Sequence, residues 1–451
     1  MNKYNSYKDS GVEWIGEIPR HWILKGLRFS FKINKGKIPK TLFDKKGDKM
    51  LPYLSMDVLR NNPPKEFSNQ DDGLFVRKGE IGILWDGSNS GEIISINQDG
   101  ILSSTVSRLG ISDSKLNKEF SYYILKFYEK DFRENTIGMG IPHMDGNHLK
   151  FSKIILPPLE EQQQIVSFLD DKTQKIDSLI QQKQKKIELL KEKRTSLINH
   201  VVTKGLDTNV EMKDSGVEWI GEIPLKWKLI KLHTLVTLKK LEFQDGNHGG
   251  LHPIPEEFIE QGVPFIKPKD IQKGKVLWKS CDRLPYERCE QFRIGFSHND
   301  DVLLVNRGGS IGKVVYVTDY DDEFPYFVIN PQVTYMRGKN GLSSKYLFYT
   351  SLSNIFRCGV DLVLGHGSTF PFLGLSNMGD FQMVIPPIEE QQQIVEYLNK
   401  QTEEIDTLIQ LEQKKIDTLK EYRQSLISEV VTGKIRVCEE DNSLSLNSPI
   451  V

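Results

Sequence analysis

The sequence predicts an α+β protein with a pseudo-two-fold internal repeat, in which two mixed α/β segments are separated by two long helices pairing as an antiparallel coiled coil. Three observations support this fold class. The segment KDSGVEWIGEIP occurs at 8–19 and returns unchanged at 213–224. PPLEEQQQIV at 157–166 returns as PPIEEQQQIV at 386–395, and a heptad pattern follows each copy. Because internal repeats determine architecture, they are interpreted before any single motif.

Composition excludes several classes of protein. The 451 residues are 38% hydrophobic, which is ordinary for a globular protein with real cores. We see no signal-peptide pattern and no apolar run long enough to span a membrane, so the sequence predicts a cytoplasmic protein. The four cysteines form no CxxC pair, and we expect reduced thiols without a metal. The net charge is −1, but positive charge is concentrated in the two variable segments, which permits contact with phosphates.

The repeats divide the chain into seven segments. In order these are an N-terminal repeat segment (1–19), a first variable segment (20–156), a first spacer helix (157–203), a connector with the second repeat segment (204–224), a second variable segment (225–385), a second spacer helix (386–434) and a tail (435–451). The tail is polar and aperiodic, so we expect it to be disordered. Apolar runs at 52–54, 81–85, 302–305 and 314–317 predict strands in the variable segments. WDGSNSG at 85–91 matches NRGGSIG at 306–312, which predicts one fold with exchanged surface residues.

Sustained heptads without an internal proline predict that the two spacer helices pair with each other. The residues predicted to form the helix pairing are Leu169, Ile176, Ile180, Lys183, Ile187, Leu190, Leu398, Ile405, Ile409, Glu412, Ile416 and Leu419. Lys183 and Glu412 occupy corresponding positions, so an antiparallel arrangement would place opposite charges face to face. The alternative is two separate amphipathic helices, each packed on its own domain.

Catalytic motifs are incomplete in this chain. Asn62-Pro63-Pro64 is followed by Lys65, whereas an amino-methyltransferase motif requires an aromatic residue there. The stretch 308–313 is one residue short of a P-loop, and Val314 stands where a magnesium-binding hydroxyl is needed, so a glycine-rich β-turn is the better interpretation. We therefore expect no catalytic residues and no cofactor or metal site.

Polar, glycine-rich loops fit DNA recognition better, because Lys and Arg contact phosphates while Arg, Asn, Gln, Asp and Ser can address base edges. Arg307 is a plausible guanine reader. Each predicted contact could also be a solvated loop residue. The candidate DNA-binding residues are Lys35, Lys37, Lys40, Lys45, Asp86, Ser88, Asn89, Lys239, Lys240, Gln244, His248, Lys267, Lys269, Asn306, Arg307, Ser310, His366, Ser368 and Thr369.

With these features in hand, the chain resembles the specificity subunits of Type I restriction–modification systems. The opening YKDSGVEWIGEIPRHW at 7–22, the two PP(L/I)EEQQQI helix starts and the alternation of variable segment and helix carry the resemblance. It covers nearly the whole chain except the tail. It is weaker inside the variable segments, as expected if those segments differ with the DNA sequence that is read.

The resemblance implies a non-catalytic subunit that directs other proteins to DNA. Each variable segment would be a target recognition domain for one half of a bipartite, asymmetric site, and the helices would set the spacer. Two modification subunits would bind S-adenosylmethionine and methylate adenine, and two restriction subunits would use ATP and magnesium for cleavage. Three alternatives stay open: a two-module DNA-binding scaffold outside restriction, a protein-binding adaptor whose coiled coil is the functional element, and a self-sufficient enzyme.

Overall fold

The computed structural model describes residues 3–138, 140–364 and 372–437. The chain divides into two compact units: unit 1 is Met1–Lys183 with Lys414–Val451, and unit 2 is Gln184–Gln413. The predicted domains follow continuous stretches of sequence, whereas the compact units divide both long helices near their middles. Each half of a long helix packs in a different unit.

Unit 1 is built around two small sheets and one amphipathic helix. Its strands are β1 (Tyr7–Asp9), β2 (Glu17–Pro19), β3 (Ile23–Gly26), β4 (Phe31–Lys35), β5 (Met50–Leu54), β6 (Phe67–Asn69), β7 (Phe75–Val76), β8 (Ile81–Leu84), β9 (Ile93–Ser95), β10 (Gly100–Leu102), β11 (Val106–Ile111), β12 (Thr136–Ile137), β13 (His143–Met144) and β14 (Lys153–Leu156). Its helices are α1 (Met56–Leu59), α2 (Lys118–Glu134), α3 (Gly146–Phe151), the first half of α4 (Leu159–Lys204) and the second half of α10 (Ile388–Val431).

The two four-stranded sheets of unit 1 have the orders β6-β5-β10-β7 and β4-β11-β8-β9. All their pairings are antiparallel except β5 with β10. Leu54, Leu102 and Val106 contribute to the apolar core. Asn117 caps the N-terminus of helix α2, because its side chain accepts a hydrogen bond from the Phe120 amide.

Unit 2 repeats this architecture with a longer set of loops. Its strands are β15 (Met212–Asp214), β16 (Glu222–Pro224), β17 (Lys228–Lys231), β18 (Leu241–Asp245), β19 (Val263–Ile266), β20 (Ile271–Gln272), β21 (Lys275–Val276), β22 (Asp282–Leu284), β23 (Phe296–Ser297), β24 (Val302–Val305), β25 (Val314–Tyr316), β26 (Phe327–Ile329), β27 (Val333–Gly338) and β28 (Gln382–Ile385). Its helices are α5 (Leu232–Thr237), α6 (Tyr286–Cys289), α7 (Ser344–Ser351), α8 (Asn354–Leu364), α9 (Leu375–Gly379) and the first half of α10 (Ile388–Val431), together with the second half of α4.

The sheets of unit 2 have the orders β22-β19-β26-β23 and β18-β27-β24-β25. Strand by strand they correspond to the sheets of unit 1, including one parallel pair, β19 with β26. The strands predicted at 52–54, 81–85, 302–305 and 314–317 are confirmed as β5, β8, β24 and β25, with small differences at their ends. The two variable segments therefore share the strand order of both four-stranded sheets, and the exchange of surface residues on one fold stays a prediction.

The repeated KDSGVEWIGEIP segment folds as a β-hairpin in each unit. Lys8 is opposite Ile18 in the first copy, and Lys213 is opposite Ile223 in the second. Ile18 and Ile223 are fully buried. The segment is therefore a packed structural element in both units.

A buried tryptophan ties each hairpin to the start of a long helix. Trp22 Nε1 donates to Glu161 Oε2 at 3.0 Å in unit 1, and Trp227 Nε1 donates to Glu390 Oε2 at 2.7 Å in unit 2. Both indole rings are almost fully buried, so each N–H needs a protein acceptor. The second glutamate of each PP(L/I)EEQQQIV repeat, Glu161 or Glu390, therefore has a structural role.

The glutamine that follows anchors the same helix start. Gln162 Nε2 donates to the carbonyls of Pro157 and Lys115 at 2.8 and 2.9 Å, and its Oε1 accepts from the Asn117 amide at 2.8 Å. Gln391 makes the corresponding bonds to Pro386, Gly341 and Ser343 in unit 2. These buried amides fix the long helices to the variable parts of their own units.

The long helices pack against each other inside each unit. Most of the predicted pairing residues are less than a tenth exposed: Leu169, Ile176, Ile180, Ile187, Leu398, Ile405, Glu412, Ile416 and Leu419. Lys183, Leu190 and Ile409 are half-buried. In unit 2, Glu412 Oε1 accepts from Lys186 Nζ at 2.9 Å. The predicted apolar face of each helix is therefore the buried one.

Residues 435–437, at the start of the predicted tail, are described by the structure. Ile435 and Val437 are buried at 9% and 6% exposure, so the prediction of disorder is wrong for residues 435–437. The Arg436 guanidinium lies 5.9 Å from the centre of the Tyr4 ring in unit 1. The apolar side chains of Ile435 and Val437 pack although the surrounding segment is polar. Residues 438–451 lie outside the described residues.

Candidate nucleic-acid interface

A glycine-containing loop occupies the same place in each unit. Residues 85–91 join β8 to β9 in unit 1, and residues 306–312 join β24 to β25 in unit 2. The Gly91 amide donates to the Leu84 carbonyl at 2.8 Å, and the Gly312 amide donates to the Val305 carbonyl at 2.9 Å. The loop at 306–312 joins two antiparallel strands, which confirms the β-turn interpretation over a P-loop.

Backbone contacts anchor both loops identically. The Trp85 amide donates to the Thr105 carbonyl, and the Asn306 amide donates to the Gln332 carbonyl. The next residue of each loop forms an isolated β-bridge, Asp86 with His143 in unit 1 and Arg307 with Phe372 in unit 2. Asp86 and Arg307 thus occupy equivalent backbone positions.

In unit 1, the loop carboxylate is held by two basic side chains. Asp86 Oδ1 lies 2.8 Å from His143 Nδ1, and Asp86 Oδ2 accepts from Lys35 Nζ at 3.0 Å. Partial burial opposes ionisation, but the hydrogen bonds from His143 and Lys35 hold the pKa of Asp86 below its usual value. Lys35 Nζ also lies 5.8 Å from the centre of the Trp85 ring. The cluster presents an ionised acceptor beside a cation.

In unit 2, the loop carries a cation. The Arg307 guanidinium stacks 4.1 Å from the centre of the Phe372 ring, and the Arg307 side chain lines an open cavity of about 390 Å³. His248, His252, Asn330 and Gln332 contribute to the same cavity. Burial and the nearby charge of Lys267 hold the pKa of His252 below its usual value, which favours the uncharged imidazole.

Other predicted contacts of unit 1 lie on exposed loops. Lys37, Lys40, Lys45 and Ser88 are exposed. Asn89 Oδ1 accepts a hydrogen bond from Arg133 at 3.1 Å, so this amide already has a partner within the protein. The lysines follow β4, the strand that ends at Lys35, and they extend the basic character of the loop cluster along the chain.

The predicted contacts of unit 2 are more scattered. Asn306 is fully buried, and its Nδ2 donates to the Pro331 carbonyl and the Thr334 hydroxyl. This residue is a structural anchor, so the prediction of a DNA contact is wrong for it. Lys239 and Lys240 precede β18, whereas His248 follows it, so the two lysines lie at the opposite end of that strand.

Four further residues of unit 2 were predicted to contact DNA, and three of them have partners within the protein. Gln244 Oε1 accepts from the Tyr335 hydroxyl, and Ser310 is half-buried in the loop. Lys267 and Lys269 both contact Asp282, at 2.7 and 3.3 Å. His366, Ser368 and Thr369 lie outside the described residues.

Sequence reasoning missed His143, Phe372, His252 and Gln332. A signal for the first two was present, since Gly138-x-x-x-Pro142 matches Gly367-x-x-x-Pro371 and each proline directly precedes the residue that bridges to the loop. His252 ends the polar, glycine-rich stretch 239–252, which is itself a candidate readout loop. Gln332 had no such signal, because its approach to Arg307 depends on tertiary folding.

No helix within the described residues is both long and apolar enough to cross a membrane.

Comparison with known proteins gives a consistent picture. The profile of the Type I restriction modification DNA specificity domain matches residues 30–189 and 227–421. The MjaVIII Type I restriction enzyme specificity subunit of Methanocaldococcus jannaschii is 30% identical over 427 residues, covering 93% of this chain and 94% of its own length. The EcoBI specificity subunit of Escherichia coli is 24% identical over 270 residues, covering 58% and 55%.

A solved structure shares the fold. A chain from a study of complex assembly and conformational transition of the type I R-M system is 16% identical, with a TM-score of 0.67, covering 93% of this chain and 99% of its own.

Proposed function

The chain belongs to the family of Type I restriction–modification DNA specificity subunits, and from this premise we propose that each of its two units reads one half of a bipartite, asymmetric DNA site. The observation that supports the proposal most directly is the pair of equivalent loops. Each carries a charged side chain at the same backbone position, Asp86 or Arg307. Equivalent loops with different chemistry are what two readers of different sequences require.

The long helices are proposed to act as a spacer in the form of an antiparallel coiled coil. The support is the buried heptad face together with an interhelical ion pair in each unit, between Asp177 and Arg423 in one and between Arg194 and Asp406 in the other. Heptad packing makes a stiff rod, and the separation of two half-sites on a duplex is a geometric quantity that a stiff connector can set. Pseudo-two-fold symmetry between the units is part of the same proposal.

The chemistry is proposed to lie in partner proteins. Two modification subunits would bind S-adenosylmethionine and methylate an adenine in each half-site, and two restriction subunits would supply ATP- and magnesium-dependent cleavage. This chain would supply the address and no catalytic group, and it would work in the cytoplasm, where the DNA is. The proposed target recognition domains are 20–156 and 225–385.

Genome-wide mapping of methylated adenine tests the proposal. Cells expressing this chain with its modification subunit are compared with cells expressing the modification subunit alone. We expect a split, non-palindromic methylated motif only when this chain is present. No new motif, with both proteins soluble and associated, would contradict the proposal and favour a DNA-binding scaffold outside restriction.

A further inference from the structure

At two structurally equivalent positions, the charge of the side chain in unit 1 is opposite to the charge of the side chain in unit 2. Lys35 ends β4 opposite Ser107, the second residue of β11, and Asp245 ends β18 opposite Thr334, the second residue of β27. Lys35 and Asp245 are therefore structural counterparts. The loop residues Asp86 and Arg307 are counterparts too. Unit 1 thus has a cation at the strand end and an anion in the loop, whereas unit 2 has an anion at the strand end and a cation in the loop.

The glycine after each strand end confirms this alignment. A Cβ atom on Gly36 would lie 2.1 Å from the Ser103 carbonyl oxygen, and one on Gly246 would lie 2.0 Å from the Ile329 carbonyl oxygen. Both positions exclude any larger residue, because the neighbouring atoms belong to the backbone. In each unit, the backbone leaves the strand at the corresponding glycine, Gly36 or Gly246.

The two loop side chains are prepared for opposite hydrogen-bonding roles. Asp86 is an acceptor whose two oxygens each have one protein donor, and a carboxylate has about four lone-pair sites, so capacity for a further donor is left. The Asp86 side chain is 25% exposed, which leaves it reachable from outside.

Arg307 is a donor that has no carboxylate partner among the described residues. Within the part of the chain that the structure describes, it forms no ion pair, whereas Arg283, Arg288 and Arg337 each do. The counterpart carboxylate, Asp245, instead binds His248 Nε2 at 2.8 Å. Contact with the Phe372 ring restrains the guanidinium, and Arg307 is exposed.

We infer that Asp86 and Arg307 are specificity-determining residues of opposite polarity, Asp86 accepting from the exocyclic amino group of a cytosine in one half-site and Arg307 donating to the O6 and N7 atoms of a guanine in the other. The inference rests on the proposed function and adds to it the kind of base edge that each unit meets. A carboxylate accepts from cytosine N4, and Arg forms its commonest specific contact with guanine. Lys35 and His143 are positioning residues that hold the carboxylate in place.

Two substitutions that remove charge and alter hydrogen bonding test the inference. Arg307→Gln replaces a guanine-reading fork by an amide that pairs with adenine, and Asp86→Asn replaces a pure acceptor by a group that also donates. We expect each variant to weaken discrimination at one base pair of one half-site by about tenfold to a hundredfold. The affected base pair is expected to be a G·C pair in both cases, and the other half-site should keep its wild-type motif.

The readout is the methylation motif given by cells that express each variant with the modification subunit. Matched controls are Arg357→Gln on α8 and Glu119→Gln at the start of α2, which change charge in the same way at exposed positions. Glu119 is about 21 Å along the helix from Arg133, the residue that contacts the loop. Copurification with the modification subunit and an unchanged melting temperature establish that each variant is folded. If Asp86→Asn does not fold, Asp86→Ser takes its place.

The outcomes separate the inference from the function on which it rests. A wild-type chain that produces no split motif overturns the proposed function. A wild-type split motif that neither variant alters overturns the inference alone. The inference is also overturned if both variants relax the same half-site, or if the relaxed position is an A·T pair.

Discussion

Arg194 Nε lies 3.0 Å from Asp406 Oδ1, joining the second half of α4 to the first half of α10 within unit 2. The corresponding residues of the repeat form the corresponding pair in unit 1, where Arg423 Nε lies 3.0 Å from Asp177 Oδ1. Both arginines are about a quarter exposed. The repeat therefore preserves a specific interhelical contact in each unit as well as an apolar face.

We expect Arg194→Met to lower the free energy of unfolding of unit 2 by about 0.5–1 kcal/mol, the usual value for a partly exposed ion pair. The exchanged pair Arg194→Asp with Asp406→Arg should recover most of the loss. Urea denaturation of the single and double variants gives the coupling energy. Lys193→Met, at an exposed neighbouring position, is the control, and a coupling energy of zero would show that the contact contributes nothing.

The hydrogen bonds to Glu161 and Glu390 predict that unit 1 depends more on its carboxylate for stability than unit 2 does. Glu161 accepts from Trp22 Nε1 and from the Tyr4 hydroxyl at 2.9 Å, and it lies 2.6 Å from His21 Nε2, whereas Glu390 accepts from Trp227 Nε1. Each buried donor that loses its acceptor costs about 1–3 kcal/mol.

Glu161→Ala should therefore destabilise unit 1 more than Glu390→Ala destabilises unit 2. Hydrogen exchange, read separately for peptides of each unit, measures the difference. Glu160→Ala and Glu389→Ala remove the exposed preceding glutamates and should have little effect. Equal protection losses for the two main variants would argue against the extra donors of unit 1.

Unit 2 should lose stability on mild acidification. Arg337 Nη2 donates to His298 Nδ1 at 2.8 Å, so this nitrogen must carry a free lone pair. Burial and the charge of Arg337 hold the pKa of His298 below its usual value, with Asp301 and Glu242 opposing the shift. A histidine with a lowered pKa binds fewer protons when folded, so its contribution is present above about pH 6.5 and is lost as the pH falls below that value.

Melting curves between pH 7.5 and pH 5.5 check this expectation. The melting temperature of unit 2 should fall over that interval, and His298→Asn, which keeps an acceptor but cannot be protonated, should reduce the fall. His252 also has a lowered pKa, so part of the pH dependence is expected to persist. A His298→Asn profile identical to wild type would contradict the assignment.

The spacer proposal predicts a change in half-site separation. Inserting one four-residue helical turn within 181–186 lengthens α4 by about 6 Å, which corresponds to about two base pairs of a duplex at 3.4 Å each. The methylation motif should keep both half-sites and change the number of unread bases between them. An unchanged spacer with retained methylation would show that the helices are not the ruler.

The sequence by itself determined the repeat, the long helices and most core strands. The heptad face predicted the buried residues of α4 and α10, since a helix that is apolar on one side must bury that side. The alternation of short apolar runs with polar loops predicted β5, β8, β24 and β25. These features are local, so a single sequence contains the information for them.

Only the tertiary structure decided how the repeated polar residues are used and which loop residues meet. Glu161 and Gln162 stand side by side in sequence, yet one binds a tryptophan of the hairpin and the other an amide at the start of α2. Asn306 and Arg307 are likewise adjacent, yet one is buried and the other exposed. Such differences depend on which long-range partner satisfies each polar group, and chain folding brings those partners together from distant positions.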